Sequence, residues 1–245
     1  MEWSDVVILI LAGFGSGFIN AVAGGGSALS LPVLTELVDA NTANGTNRVA
    51  ILMGNLSSLY AYNKGGAMRW EQTRGLIPPT VLGAVTGSIV ASQLPADAMK
   101  RFFAVALVIV VLSVVLKPNR WLEGAESRLR QPWTSILFFL VGFYGGFVQA
   151  GVGFFVLAAM VFGAGFQLLE ANGAKVLLIA SFTTISLIVF AVAGQVDLTM
   201  GLVLAVGQAS GAYASARIAL DKGANWVRWF LVAAALVAAV RMATS

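Results

Sequence analysis

One pattern runs through this chain: stretches of about 16–22 residues that are apolar on every face of a helix, separated by short polar turns. At 1.5 Å per residue, such a stretch crosses the roughly 30 Å of hydrocarbon in a bilayer. A helix at the surface of a soluble domain keeps a polar stripe toward water, and these stretches have none. Inside hydrocarbon every backbone N–H and C=O must be bonded within the chain, and long apolar helices meet that demand. The expectation is an all-α integral membrane protein. Composition agrees, with 58% of the 245 residues hydrophobic and 11% charged, against about 25% charged in ordinary domains.

The first stretch runs from Trp3 to Ala23 and stops at Gly24-Gly25-Gly26-Ser27. A short apolar segment with Pro32 follows over Ala28–Val38, then helices at Asn47–Tyr62, Arg74–Gln93 and Ala98–Leu116. Lys117 to Pro132 is the longest polar segment and reads as a connector. The plan then recurs: Trp133–Gln149, a break at Gly151-Val152-Gly153, Phe154–Leu168, Ala174–Ala193, Leu198–Ile218 and Trp226–Val240. This gives a first repeat over 1–118, a cytoplasmic connector over 119–132 and a second repeat over 133–245. Glu2 and Asp5 stand where a cleavable leader carries Lys or Arg, so the first stretch reads as a retained span.

The recurrence is visible residue by residue. Gly13-Phe14-x-x-Gly17-Phe18-Ile19-Asn20 matches Gly142-Phe143-x-x-Gly146-Phe147-Val148-Gln149. Ala43-Asn44-Gly45 followed by Arg48 matches Ala171-Asn172-Gly173 followed by Lys175. Gly66-x-x-Arg69 lies where Gly194-x-x-Asp197 lies, and Gly83/Gly87 correspond to Gly207/Gly211. The glycine pairs at i, i+4 read as faces for close helix packing.

Charge sets the expected topology. Lys64, Arg69 and Arg74 follow the third apolar stretch, Arg120, Arg128 and Arg130 lie in the connector, and Arg217, Lys222 and Arg228 flank another turn. Basic loops face the cytoplasm. The turn at Asp197 has no basic residue and is placed outside. All three basic loops share one side only if the glycine-broken segment of each half is two arms, either two short spans or a re-entrant hairpin. The expectation is two inverted-topology repeats whose broken first helices meet at the midplane, with the N-terminus outside; Lys100 and Arg101 run against the rule.

Broken helices at membrane depth free amides that must find partners in protein or in a wet cavity. Gly24, Gly25 and Gly26 permit a sharp turn, and Ser27 is expected at the N-cap of the next helix. Helix N-termini attract anions. The candidate substrate-binding set is Asn20, Gly24, Gly25, Gly26, Ser27 and Asn55 in the first half, with Gln149, Gly151, Gly153, Ser181 and Thr183 in the second. These are neutral donors suited to a small oxyanion. Arg48 and Lys175 are candidate gating or electrostatic residues, attracting anions at either mouth or snorkelling to the surface.

Several classes fall away. Without cysteine or histidine there are no disulfides, thiolate or imidazole metal sites and no histidine proton switch. The acids fall at span ends or in loops, so no catalytic or proton-carrying carboxylate is expected at depth; neither enzyme chemistry, nor a cofactor, nor a metal is expected. The net charge of +4 is scattered singly through loops rather than gathered as a nucleic-acid surface. The partners expected are the lipid bilayer and a small anion, with a homodimer left open.

At Gly17-x-x-Asn20, Gly24-Gly25-Gly26-Ser27, Pro32, the segment from Asn44 to Tyr62 and Gly66 before Arg69-Trp70, the chain resembles the TauE/SafE family of sulfite and organosulfonate exporters. The resemblance covers essentially the whole chain. The second copy departs from it, with Gly153-Phe154-Phe155 in place of three glycines and a serine. The resemblance implies export of sulfite or an organosulfonate across the bacterial inner membrane. With no titratable group found at depth, the expected mode is alternating access as a uniport driven by membrane potential, or coupling through protonation of the substrate. An anion channel and a carrier of a different small metabolite remain as alternatives.

Overall fold

The computed structural model describes residues 1–116 and 129–244, and among them the regular structure is helical. The helices are α1 (Trp3–Val22), α2 (Ser27–Leu37), α3 (Ala40–Lys64), α4 (Trp70–Arg74), α5 (Ile77–Ser92) and α6 (Ala96–Leu116), then α7 (Trp133–Phe147), α8 (Val152–Ala158), α9 (Leu168–Val192) and α10 (Leu198–Thr244). A π-helical turn, Ala159–Gly163, continues α8, and α10 kinks at Gly223. The expected connector over 119–132 falls mostly outside the described residues.

α1 and α9 are each long and apolar enough to cross a membrane. Large apolar side chains cover the exterior, and a set of polar side chains is buried within a largely apolar core. Trp3, Leu11, Leu140, Val192 and Val206 are exposed, while Asn20, Asn44, Asn47, Arg48, Gln149, Asn172, Lys175 and Gln208 are buried. An apolar exterior suits a hydrocarbon solvent, and the buried polar groups then find their partners inside the protein.

Both predicted helix breaks are present. After Val22 the backbone leaves the helix, Gly24 adopts φ +84°, and α2 starts at Ser27. α2 then folds back along α1: the Ser16 hydroxyl donates to Ser30 Oγ at 3.3 Å, and Leu34 packs with Leu9 and Ala12. With 11 residues, α2 extends only about 16 Å, too short to cross a bilayer. The second half does the same at Val148–Gly151, where Val152 packs beside Gly145 and the Phe155 ring meets Tyr144 edge-on, centroids 5.0 Å apart.

Ser27 is not the N-cap it was expected to be. Gly26 holds that place without any side-chain cap, and Ser27 is the first helical residue. α3 begins at Ala40 rather than Asn47 because Asp39 caps it, its Oδ1 accepting from the amides of Asn41 (3.0 Å) and Thr42 (3.1 Å). α9 begins at Leu168 rather than Ala174, and the helix after the second break runs Val152–Gly163 rather than Phe154–Leu168.

The glycine pairs explain how the halves join. A methyl group on Gly13 or Gly17 of α1 would strike the backbone of Leu204 or Gln208 on α10. One on Gly207 or Gly211 would strike Ile10 or Phe14 of α1 in return. α7 and α5 repeat this, with Gly142 and Gly146 against Thr80 and Ala84, and Gly83 and Gly87 against Phe139 and Phe143. Small residues let backbones approach closely where side chains would hold them apart. Each half therefore packs its first helix against the other half.

The contacts also separate two ends. At one end Arg69 Nε donates to Glu170 Oε1 at 2.7 Å, Gly173 lies on Ala67, and Gly65 meets Leu220. At the other, Asn41 Nδ2 donates to the Leu94 carbonyl (2.7 Å), the Asp197 amide donates to Thr46 Oγ1 (2.9 Å), and Gln195 Nε2 donates to the Ser92 carbonyl (3.0 Å). The start of α3 thus lies beside the end of α9, and the start of α9 beside the end of α3.

Candidate functional site

The two breaks meet. A Cβ on Gly24 would overlap the Gly153 backbone, and one on Gly153 would overlap Gly24. The Phe154 ring lies against Gly25, and the start of α2 at Gly26 rests on Ser16 and Asn20 of α1. Turning this tightly frees backbone. The amides of Gly25, Gly26 and Ser27, and those of Ala150, Gly151 and Gly153, donate to no backbone acceptor among the described residues. Buried amides without acceptors are costly and rare.

Gln149 takes φ +63° although it is not glycine, a conformation that costs about 1–2 kcal/mol. Its Nε2 donates to Thr183 Oγ1 on α9 at 2.9 Å, while its Oε1 is buried without a partner. A strained polar residue persists only where surrounding structure holds it, commonly at a working site. Tyr144 braces the same turn by donating its hydroxyl to the Ala150 carbonyl at 2.6 Å.

The other sequence candidates divide. Asn20 is buried in the last turn of α1, one turn before the break. Asn55 is buried on α3 and donates to its own helix at the Ile51 carbonyl (2.7 Å), leaving Oδ1 unpartnered. Ser181 is half-buried and spends its hydroxyl on the Leu177 carbonyl of its own helix at 2.8 Å, so nothing ties it to the breaks.

Arg48 and Lys175 are at neither mouth; both are fully buried. Lys175 Nζ donates to the carbonyls of Asn20 (2.9 Å) and Ala21 (3.0 Å), in the last turn of α1, and to Asn172 Oδ1 (2.7 Å). Arg48 Nη1 donates to the Gly145 carbonyl (3.2 Å), and Nη2 to the Gly146 carbonyl (2.6 Å) and Asn44 Oδ1 (3.3 Å). Its guanidinium carbon also sits 4.5 Å from the Phe190 ring centroid. Neither α1 nor α7 has a basic residue in its own last turn. Cations at helix C-termini satisfy the last carbonyls and oppose the negative dipole end. Here each cation comes from the opposite half.

Several residues at the site escaped sequence reasoning. Asn44 and Asn172 carry the two cations, and the matching Ala-Asn-Gly triplets upstream of Arg48 and Lys175 were the available signal. Tyr62 donates to the Ala21 carbonyl at 3.3 Å. Gln208, wedged against Gly54 on α3, is fully buried with neither amide atom partnered; no repeat match pointed to it. Among the described residues no group of three or more acidic, cysteine or histidine side chains that could hold an ion occurs.

The chain matches the sulfite exporter TauE/SafE family over residues 9–242. A protein from Sinorhizobium sp., "Probable membrane transporter protein ORF9", is 30% identical over 97% of this chain and 92% of its own length. "Probable membrane transporter protein YfcA" of Escherichia coli K12 is 27% identical over 96% of this chain and 88% of its own. A "Probable membrane transporter protein" of Haemophilus influenzae is 27% identical over 97% and 94% respectively. No solved structure gives a significant match. With interrupted helices at matching places in both halves and a family match across nearly the whole length, this chain belongs to the TauE/SafE sulfite exporter family.

Proposed function

We propose that this protein is a secondary transporter that exports a small anion, sulfite or an organosulfonate, across the bacterial inner membrane by alternating access. The observation that carries the reading is the meeting of two interrupted helices, Gly24 on Gly153, with amides on both sides that donate to no backbone acceptor among the described residues. Such breaks at the interface of two repeats are where carriers place their substrates. Neutral amides, Gln149 and Asn20 offer an oxyanion several hydrogen bonds without a salt bridge. The sulfur substrate itself rests on the family name alone.

The halves are read as inverted repeats over 1–118 and 133–245, with each first segment a re-entrant hairpin. Support comes from equivalent helices running in opposite senses: the start of α3 meets the end of α9, as Gly45 does Gln195, and Gly173 at the start of α9 meets Ala67 just past the end of α3. The end carrying Lys64, Arg69 and Arg74 is assigned to the cytoplasm and the end at Asp197 to the outside. α1 runs alongside α10 in the same sense, with Gly13 at Leu204 and Gly17 at Gln208, and the same charge assignment then puts the N-terminus outside.

A potential negative inside drives an anion outward with about 2.3 kcal/mol per charge per 100 mV, so uniport needs no coupling ion. Sulfite-loaded proteoliposomes test this. Efflux should accelerate when a valinomycin potential makes the lumen negative. Efflux indifferent to potential but strictly dependent on a proton gradient overturns uniport. No efflux and no binding of sulfite or sulfonates overturns the anion reading.

A further inference from the structure

We infer that Lys175 and Arg48 are positioning residues that make the paired breaks electropositive, each acting on the interrupted helix of the other half; the inference rests on the anion reading above. An interrupted helix presents its C-terminal end to its own break, and that end carries about half a negative charge. Left alone, the negative ends of α1 and α7 would offset the attraction that the helix starting after each break offers an anion. The Asn20 and Ala21 carbonyls, one turn before Gly24, are bonded by Lys175 Nζ. The Gly145 and Gly146 carbonyls, shortly before Gly151, are bonded by Arg48.

When Lys175 and Arg48 are protonated, each bonds a full positive charge to half a negative one and leaves that helix end net positive. Among the described residues no acid pairs with either cation: the ion pairs are Arg69 with Glu170 and Arg74 with Glu71. Burial strengthens the field, because charges interact more strongly where the surroundings polarise less than water. Asn172 and Asn44 supply neutral acceptors that hold the cations in place without lowering their charge. A salt bridge would have fixed the side chains and abolished the field. The arrangement is also crosswise, since the cation of one half charges the break of the other, so displacing either hairpin alters the potential contributed by the opposite half.

The test is a valence series of similar shape, binding to the full chain in nanodiscs: sulfate, methanesulfonate and neutral dimethyl sulfone. The wild type should bind them in order of negative charge. Lys175→Gln should lose about tenfold in affinity for methanesulfonate and about a hundredfold for sulfate, because an electrostatic term doubles with ligand charge. Arg48→Gln should show the same scaling, and Lys175→Arg should restore most of the loss. A merely structural role would weaken all three ligands by the same factor, and that result overturns the inference while leaving anion transport standing. If neither neutral variant folds, the wild-type series decides: dimethyl sulfone bound as tightly as sulfate overturns it. A wild type that binds neither anion overturns the functional reading first.

Discussion

Gly24 and Gly153 touch backbone to backbone, so the turns that interrupt α1–α2 and α7–α8 are one joint structure rather than two separate ones. Gly24 also sits at φ +84°, where a Cβ is strained in any surroundings. Gly24→Ala should therefore abolish transport in proteoliposomes and lower the detergent melting temperature. A variant with wild-type flux would show that the joint is not part of the transport path.

At Gly25 the obstacle is a movable ring. A Cβ there meets the Phe154 side chain, which can be shortened. Gly25→Leu should block transport while the protein remains folded in detergent, and the milder Gly25→Ala should reduce it. Adding Phe154→Leu to Gly25→Ala should recover part of the lost rate. Strict additivity of the two changes would argue against contact between them.

The strain at Gln149 predicts a trade between stability and activity. Gln149→Gly relieves the positive φ, worth about 1 kcal/mol, and removes a buried unpartnered Oε1, against the loss of one bond to Thr183. The melting temperature should not fall, while transport drops by about tenfold or more, in line with the general cost of easing a working site. A melting temperature several degrees lower with unchanged flux would assign Gln149 a structural role.

Crosswise glycine packing predicts large stability losses far from the breaks. Gly207→Leu places a side chain into the α1 backbone at Ile10 and Phe14. Overpacking costs about 1–3 kcal/mol or more, so the melting temperature should fall by several degrees. Combining Gly207→Leu with Gly13→Leu should cost less than the sum, because both push the same two helices apart. Full additivity would mean the two glycines act at separate interfaces.

Asp39 predicts an acid-sensitive cap. Burial pushes its carboxyl up, but the Thr42 hydroxyl and the amides of Thr42 and Asn41 outweigh it, leaving it below its ordinary value of 3.8. A depressed carboxylate contributes stability above its unfolded value and loses it as pH falls through the folded one. Asp39→Ala should cost about 1 kcal/mol near neutral pH, and the gap to wild type should close below about pH 4. A difference independent of pH would remove the carboxylate from the cap.

What could be read in the sequence followed from period and repetition. Uniform apolar stretches and Gly24-Gly25-Gly26 gave the helices and the first break, and the spacing of Gly13/Gly17 and Gly207/Gly211 gave the packing faces. Their crosswise pairing could not be read, because spacing says that a face is close-packed and not against which partner. The start of α3 was missed because Asn41, Thr42, Asn44 and Gly45 are weak helix formers; tertiary bonds such as Asn44 Nδ2 to the Phe147 carbonyl (2.9 Å) override that preference. The repeat pairs Arg48 with Lys175, but the sequence points them to the mouths, since a charge at depth is ordinarily too costly. The acceptors that make it affordable lie about a hundred or more residues away and leave no local trace.

The swapped packing of α1 on α10 and α7 on α5 has a practical corollary for cutting the molecule apart. Expressed alone, residues 1–116 would expose the glycine groove of α1 without its lid, and residues 129–245 would expose that of α7. Each piece should be degraded or aggregate by itself. Produced together in one cell, the two polypeptides should clasp into a single working carrier, much as two hands interlace.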